Sequence, residues 1–389
     1  MAGGYCGRLL AEVGAQVLKV EKPCEGDPSR HEGPFPDDLP HIETSLLFQY
    51  TNANKRSITL DATTQQGADI LRKIISLSDV VIEERPGGAV EQAGMGYAVI
   101  QEMNPTAVVV TISPFGQHGQ KRTWKGSSLN IEHASGMGWL TPTGLSRRLF
   151  PERHPLKMGG HIAEYFVSFA AATGVMFGLI GRMISGRSQH IDLSSQDALV
   201  SLERGCVSQY ANRGYLETPQ TRDFPYGGCF PCADGYVEIL AHEDHHWAGL
   251  AEMIEKPEWS RDPIFAKRDR RVTRSLEINE AIEAWTQKHT RQQVYELGVR
   301  HGVPVGIFNS PADVIASEHE RARGFFRPVS HPLIRKMTSI PALPFLMAPV
   351  PEKDARPAPL LGEHNEEVYC LTLGFSRGDL VDLRQARII

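Results

Sequence analysis

The run Ala107-Val108-Val109-Val110-Thr111-Ile112 constrains the fold more than any other stretch of the 389-residue chain. It is the strongest strand signal present, with no polar face to turn toward water. A strand buried on both faces belongs to a parallel sheet covered by helices. The segments before it alternate in the way such a sheet needs. Leu9-Leu10 with Val13 predicts a helix ended by Gly14, and Gln16 to Val20 a short strand. Ser57 to Asp61 reads as a strand or extended segment. Ile70, Leu71, Ile74 and Ile75 have helical spacing within Gly67 to Leu77, Asp79 to Ile82 is a buried-type strand, and Gly88 to Met103 is helical in part. These spacings suit crossover units. Ligands of such sheets bind where loops leave the carboxyl ends of the strands. The loop Ser113 to Gln120 has the small, flexible residues that a site there requires.

A second organisation begins near Phe224. Asp234-Gly235 starts a turn and strand through Leu240, and helical patterns follow at Trp247 to Ile254, Leu276 to Thr290 and Val294 to Arg300. From His331 to Pro359 the chain holds seven prolines and little periodicity, and is expected to lie extended over another domain. A short acidic helix from Glu363 and a last one near Gly378 follow.

Several chemistries find little support. With 41 Lys and Arg against 46 Asp and Glu, the formal net charge is −5, and no basic stripe suggests a nucleic-acid partner. Six scattered cysteines make no disulfide scaffold. Cys229-Phe230-Pro231-Cys232 has redox spacing but precedes a turn and strand, so packing is the simpler role. His242-Glu243-Asp244-His245-His246 reads as a helix start, with Glu243 and Asp244 favoring the dipole, and no metal is expected. There is no Gly-x-Ser-x-Gly elbow and no phosphate-binding P-loop. No secretory signal is visible. The uncharged stretch Tyr165 to Gly181 is short for a bilayer span and is read as a buried, tightly packed helix. A cytoplasmic enzyme without membrane or nucleic-acid partners is the expectation. Glu164, directly before that stretch and after Met158-Gly159-Gly160-His161, is the carboxylate that stands out. It is either a helix-start residue held by the dipole or a covalent nucleophile.

Taken in order, further segments make the chain resemble the class III (CaiB/BaiF-type) CoA-transferases. Leu10 to Pro23 is similar to the opening "LAxxGAxVxKVExP", Gly26 to Arg30 to "GDxxR", and Asn54 to Asp61 to "NKRSIxLD". Asn104-Pro105 and Phe115 to Gly119 match "NP" and "FGxxG", and Gly186 to Ser194 resembles "GxGQxVDVS". Asp234-Gly235, Gly302-Val303-Pro304, Ala322 to Phe325 and Ala358 to His364 follow in family order.

The resemblance implies an α/β fold with a Rossmann-like large domain built from both chain ends, plus a smaller α+β domain. The boundaries expected are 1–205 for the large domain, 206–223 for a linker, 224–326 for the small domain and 327–389 for a return segment. It also implies an interlocked homodimer. The substrates implied are a coenzyme A thioester donor and a carboxylic acid acceptor, with transfer through a mixed anhydride on an active-site carboxylate. The family aspartate aligns with Glu164. Arg30 is implied at the CoA phosphates and Leu60 at the adenine, with Arg85 and Lys125 supplying positive charge; Gln92 stands where the family often has Arg. The Tyr226-Gly227-Gly228 segment is a candidate cover. Family members have a strand and a CoA-contacting loop before the segment matching Met1 to Tyr5, so the sequence reads as shortened there. Two alternatives stay open: an acyl-CoA racemase or epimerase, for which His133 and His161 are the nearest acid/base candidates, and a catalytically silent partner subunit.

Overall fold

The computed structural model describes residues 1–84, 94–141, 152–219, 226–335, 339–347 and 355–389. Strands β1 (Leu18–Glu21) and β2 (Arg56–Thr59) pair in parallel. Strands β3 (Val80–Glu84), β4 (Val108–Ser113) and β5 (Gln189–Ser194) form a second parallel sheet with β4 in the middle. Every residue of β4 is buried, and its alternating side chains serve two cores. Val108, Val110 and Ile112 pack with Ala2, Cys6 and Leu10 and with Val167, Ala171 and Val175. Val109, with Ala107, packs against Ile75 and Ile100. Helices Ala2–Glu12 and Ile162–Ser185 therefore cover one face, and Gln65–Ser76 and Tyr97–Met103 the other.

The chain forms two compact units. The larger comprises 1–137, 157–204 and 318–389, and the smaller 138–156 and 205–317. These limits differ from the sequence expectation in detail. Residues 138–156 go with the smaller unit, and the expected linker begins within a helix, Arg204–Arg213. The smaller unit holds an antiparallel sheet of β6 (Gly228–Cys232), β7 (Gly235–Ile239) and β8 (Val305–Ile307). Its core gathers Trp247, Leu250, Ile278, Ile282 and Val294. Cys229 to Cys232 lies in strand β6, not in a strand-to-helix turn, and neither cysteine forms a disulfide among the described residues. Burial, with Asp234 nearby, pushes the Cys232 thiol up to about 11, so it stays protonated at neutral pH. At the glycine pair, Gly227 has φ 85° and its N–H donates to Asn279 Oδ1 at 2.9 Å. A Cβ on Gly227 would approach the Ile239 carbonyl oxygen to 2.6 Å, so only glycine fits.

In the larger unit, one buried cation ties the two chain ends together. The Arg30 guanidinium is fully buried and uses all five donors. Nε and Nη2 bind the Glu21 carboxylate at 2.7 and 2.9 Å. Nη1 reaches Glu43 at 2.7 Å and the Ile42 carbonyl at 3.4 Å, and Nη2 reaches the Pro359 carbonyl at 3.0 Å. The Phe48 ring lies 3.7 Å below the guanidinium. The other Glu43 oxygen accepts the Leu361 N–H at 3.0 Å, so the C-terminal return segment is anchored twice. This corrects the sequence expectation: Arg30 is a structural centre with no donor left for a CoA phosphate. Leu60 is corrected as well. It is 3% exposed, in a core with Ile58, Ile70, Leu380 and Leu383, which leaves its side chain no face for adenine.

Burial works to raise the Glu21 carboxyl pKa, but the Arg30 hydrogen bond and the Lys19 and Arg30 charges hold it below the usual carboxylate range. A carboxylate depressed in the folded state contributes stability above its ordinary pKa, about 4.3, and that contribution fades as pH falls through the folded value. Replacing Arg30 by Ala strands the Glu21 charge in the interior. The expected loss is about 3–5 kcal/mol at pH 7 in urea unfolding. The gap between the two proteins should narrow below about pH 4, as the carboxyls take up protons. An equally stable Arg30→Ala protein at pH 7 contradicts this account.

Candidate active site

Helix Ile162–Ser185 carries Glu164 in its first turn. Its buried stripe is Ala163, Val167, Ala171, Val175 and Gly178, at three- and four-residue spacing. A Cβ on Gly178 would come within 2.5 Å of Val108 Cγ1, and one on Gly174 within 3.2 Å of Ile191 Cγ2. The helix therefore rests on β4 and β5 at glycine distance, running against the strand direction. Gly178 faces the start of β4. Glu164 lies fourteen residues back along the helix, or about 21 Å. From Val108 to Pro114 the strand covers about 20 Å. The two lengths match, so Glu164 arrives at the carboxyl end of the sheet. The opposite helix face corrects the expectation of a buried helix. Phe166, Phe169, Phe177 and Met183 are 40, 43, 68 and 83% exposed. By length and composition this is also the one helix among the described residues that could cross a bilayer; here one side of it is docked on a sheet.

A cavity of about 380 Å³ opens at those strand ends. Glu84 ends β3, Ile112, Ser113 and Pro114 end β4, and Ser195 follows β5. Lys125 to Ser128, with Ile131, form another wall, and Ala163, Glu164 and Val167 complete it. Glu84 is committed to the backbone, accepting the Ala2 and Gly3 N–H groups at 3.2 and 2.8 Å. The half-buried Glu164 is not so committed. Its Oε1 accepts a hydrogen bond from Ser128 Oγ, while its Oε2 is out of contact with water and has no partner among the described residues. Ser113 Oγ, on the same wall, is likewise buried without a partner among them. A carboxylate with one free oxygen in a mostly apolar recess is poorly solvated, which favors nucleophilic use.

The helix Ser128–Ser135 supports this geometry twice. At its start, Gly126 packs on Pro114 so closely that a Cβ would reach Pro114 Cβ at 2.5 Å, and Ser127 N–H donates to Asn130 Oδ1 at 2.6 Å. One turn beyond Ser128, the fully buried Glu132 accepts the Met158 N–H at 2.8 Å, with Lys157 Nζ 3.7 Å from its other oxygen. Lys157 also donates to the Met158 and Gly160 carbonyls, both at 2.8 Å. Glu132 and Lys157 thus shape the turn, with Gly160 at φ 69°, that leads into the Glu164 helix.

Of the residues singled out from the sequence, Glu164 and Lys125 share the cavity, while Arg30 and Leu60 lie in the interior. Arg85, like Gln92, falls outside the described residues. Among the described residues no histidine lines the cavity. His133 is exposed on the Ser128 helix, and His161 immediately precedes the Glu164 helix. Among the described residues no group of three or more His, Cys, Asp and Glu side chains is placed to hold a metal ion. Ser128 and Glu132 were not legible as site residues. Their four-residue spacing was the available signal, but it gains meaning only once Glu164 and Met158 are brought alongside.

A profile described as CoA-transferase family III matches residues 1–365. Among curated relatives, the succinyl-CoA–D-citramalate CoA-transferase of Chloroflexus aurantiacus is 29% identical over 100% of this chain and 95% of its own length. The formyl-CoA:oxalate CoA-transferase of Streptomyces coelicolor is 30% identical over 100% and 96%, and the succinyl-CoA:mesaconate CoA-transferase of Haloarcula hispanica 29% identical over 95% and 92%. Among solved structures, a CaiB/BaiF family protein from Brucella suis superposes with a TM-score of 0.81 at 26% identity, covering 95% of each chain.

Proposed function

The chain belongs to CoA-transferase family III and is a CoA-transferase, and from that premise we propose that Glu164 is the carboxylate through which it moves coenzyme A from an acyl-CoA to a carboxylic acid. The observation that carries this reading is the placement of Glu164 in a largely apolar cavity at the sheet's carboxyl end, with one oxygen unpartnered. Glu164 Oε2 adds to the thioester carbonyl carbon, the C–S bond breaks, and CoA departs as thiolate. The product is a mixed anhydride of the acyl group and Glu164. The thiolate then adds to the Glu164 carboxyl carbon, and the acyl group leaves as its carboxylate. An acceptor carboxylate repeats the first exchange on the resulting enzyme thioester, and the last exchange delivers its CoA ester. No step spends the thioester's energy on water, provided water is kept out. The absence of a cavity histidine among the described residues favors this chemistry over α-proton exchange, which needs an acid/base pair.

Lys125 is the cation that lines this cavity, and we place it at a CoA phosphate. The relatives' acids and acyl groups are small, so short acyl donors and short polar acids are the class expected here. The exposed apolar face of the Glu164 helix is best explained by a second copy of the chain. Singly exposed apolar residues are ordinary, but Phe166, Phe169, Phe177, Ile180, Met183 and Ile184 lie on one helix. The homodimer implied by the sequence would cover them.

Three outcomes are expected. With succinyl-CoA or formyl-CoA as donor and hydroxylamine present, peptide mass spectrometry should find a hydroxamate at Glu164. Glu164→Gln should abolish the adduct and lower turnover on the order of 10⁴-fold; full activity in that variant, or in a parent chain that never labels, rejects the assignment, while a parent chain that neither labels nor turns over favors the silent-subunit reading. Lys125→Ala should raise KM for the acyl-CoA about tenfold with kcat little changed, the effect of losing one charge-assisted hydrogen bond. The parent protein should sediment as a dimer and Phe177→Asp with Met183→Asp as a monomer; a monomeric parent counts against the interface.

A further inference from the structure

We propose that Ser128 is a second catalytic residue, donating through Oγ the hydrogen bond that stabilises negative charge on Glu164 Oε1 each time the Glu164 carboxyl carbon is itself attacked. This rests on the reading of Glu164 as the acyl carrier. In that reading the two oxygens of Glu164 have different fates. Oε2, unpartnered, makes the bond to the acyl group, and Oε1 becomes the carbonyl oxygen of the anhydride. When CoA thiolate adds to the carboxyl carbon, its electron pair forms the C–S bond and the carbonyl pair moves onto Oε1. When the intermediate collapses, that pair returns and the C–Oε2 bond breaks, releasing the acyl carboxylate. Oε1 therefore holds the developing charge in every exchange at the enzyme's own carbonyl, and Ser128 Oγ already donates to it.

The donor is aimed before reaction, which is what makes such a bond catalytic. Ser128 opens its helix, where Ser127 and Asn130 cap the first turn and Gly126 is pressed on Pro114. Four residues on, Glu132 holds the Met158 N–H and so the approach to the Glu164 helix. Both partners are thereby tied to one short helix. The arrangement also suits Glu in place of the family's Asp. A side chain longer by about 1.5 Å swings through more positions, and a hydrogen bond to one oxygen selects among them; misplacement near 1 Å costs about 10²-fold.

The test compares two isosteric variants, Ser128→Thr, which keeps the hydroxyl, and Ser128→Val, which lacks it. Both are assayed with succinyl-CoA and formyl-CoA as donors and mesaconate, citramalate and oxalate as acceptors, beside the parent and Glu164→Gln. Ser128→Val should lose about 10²-fold in kcat relative to Ser128→Thr, with KM for acyl-CoA within about threefold. In a single turnover without acceptor, with the released thiol captured by a disulfide reagent, Ser128→Val should still free CoA thiol within a few-fold of the Ser128→Thr rate, because attack by Oε2 on the donor does not load Oε1. The Glu164 hydroxamate, which forms by attack on the Glu164 carboxyl carbon, should instead be slowed along with turnover. Equal kcat in the Thr and Val variants overturns the proposal, as does a Val defect of equal size in thiol release and turnover. If Glu164→Gln remains fully active, or the parent never labels at Glu164, the underlying reading fails instead. A Ser128→Val protein that does not fold while Ser128→Thr does would make the hydroxyl structural and also overturn the proposal.

Discussion

The contact on which the site depends is the seating of a 24-residue apolar helix on the middle of a parallel sheet, at its closest where glycines face the strands. Gly174 and Gly178 let it approach Ile191 and Val108 to distances at which a methyl group would collide. Protein interiors are packed like crystals, so a helix held that close cannot slide without meeting those side chains. Its register on β4 therefore decides how far its first turn projects past the strand ends. Glu164 is delivered to the cavity by packing some 20 Å away as well as by the turn that precedes its helix.

Buried charge is used in two ways in this fold. Around Arg30 every donor is answered, and the result is a rigid joint between an early turn and the C-terminal return segment. Such a joint has nothing left to offer a ligand. At Glu164 one oxygen is held and the other is not. An unsatisfied buried oxygen costs stability, and a fold that retains one gains reactivity at that place. Arg30 is saturated within the interior, whereas Glu164 keeps an open oxygen at the cavity, even though both look like charged residues near apolar runs in the sequence.

The helix Ser128–Ser135 links these themes. Its backbone start is fixed by Gly126 against Pro114, and Glu132 Oε2 accepts the Met158 N–H while Lys157 Nζ lies 3.7 Å from Oε1. From this mount the Ser128 side chain reaches the reactive carboxylate. A catalytic hydrogen bond needs a donor that does not reorganise during the reaction, and a short capped helix tied at both ends is a rigid mount for one.

The sequence by itself determined the class of sheet, the places of β1 to β4 to within a residue or two, though not β5, and the carboxylate at the head of the apolar helix. Those features are local: the β4 run has no polar face to mistake, and Glu164 interrupts an otherwise uncharged context. It could not tell that Arg30 would turn inward, because its partners Glu43 and Pro359 are brought to it only by folding. Nor could it tell that Leu60 would be core, that one side of the apolar helix would stay uncovered in the single chain, or that Ser128 would find Glu164 thirty-six residues away. Periodicity and turn chemistry are written residue by residue, whereas the partner of a charge or a hydroxyl is chosen by which surfaces the packed sheet and helices bring together.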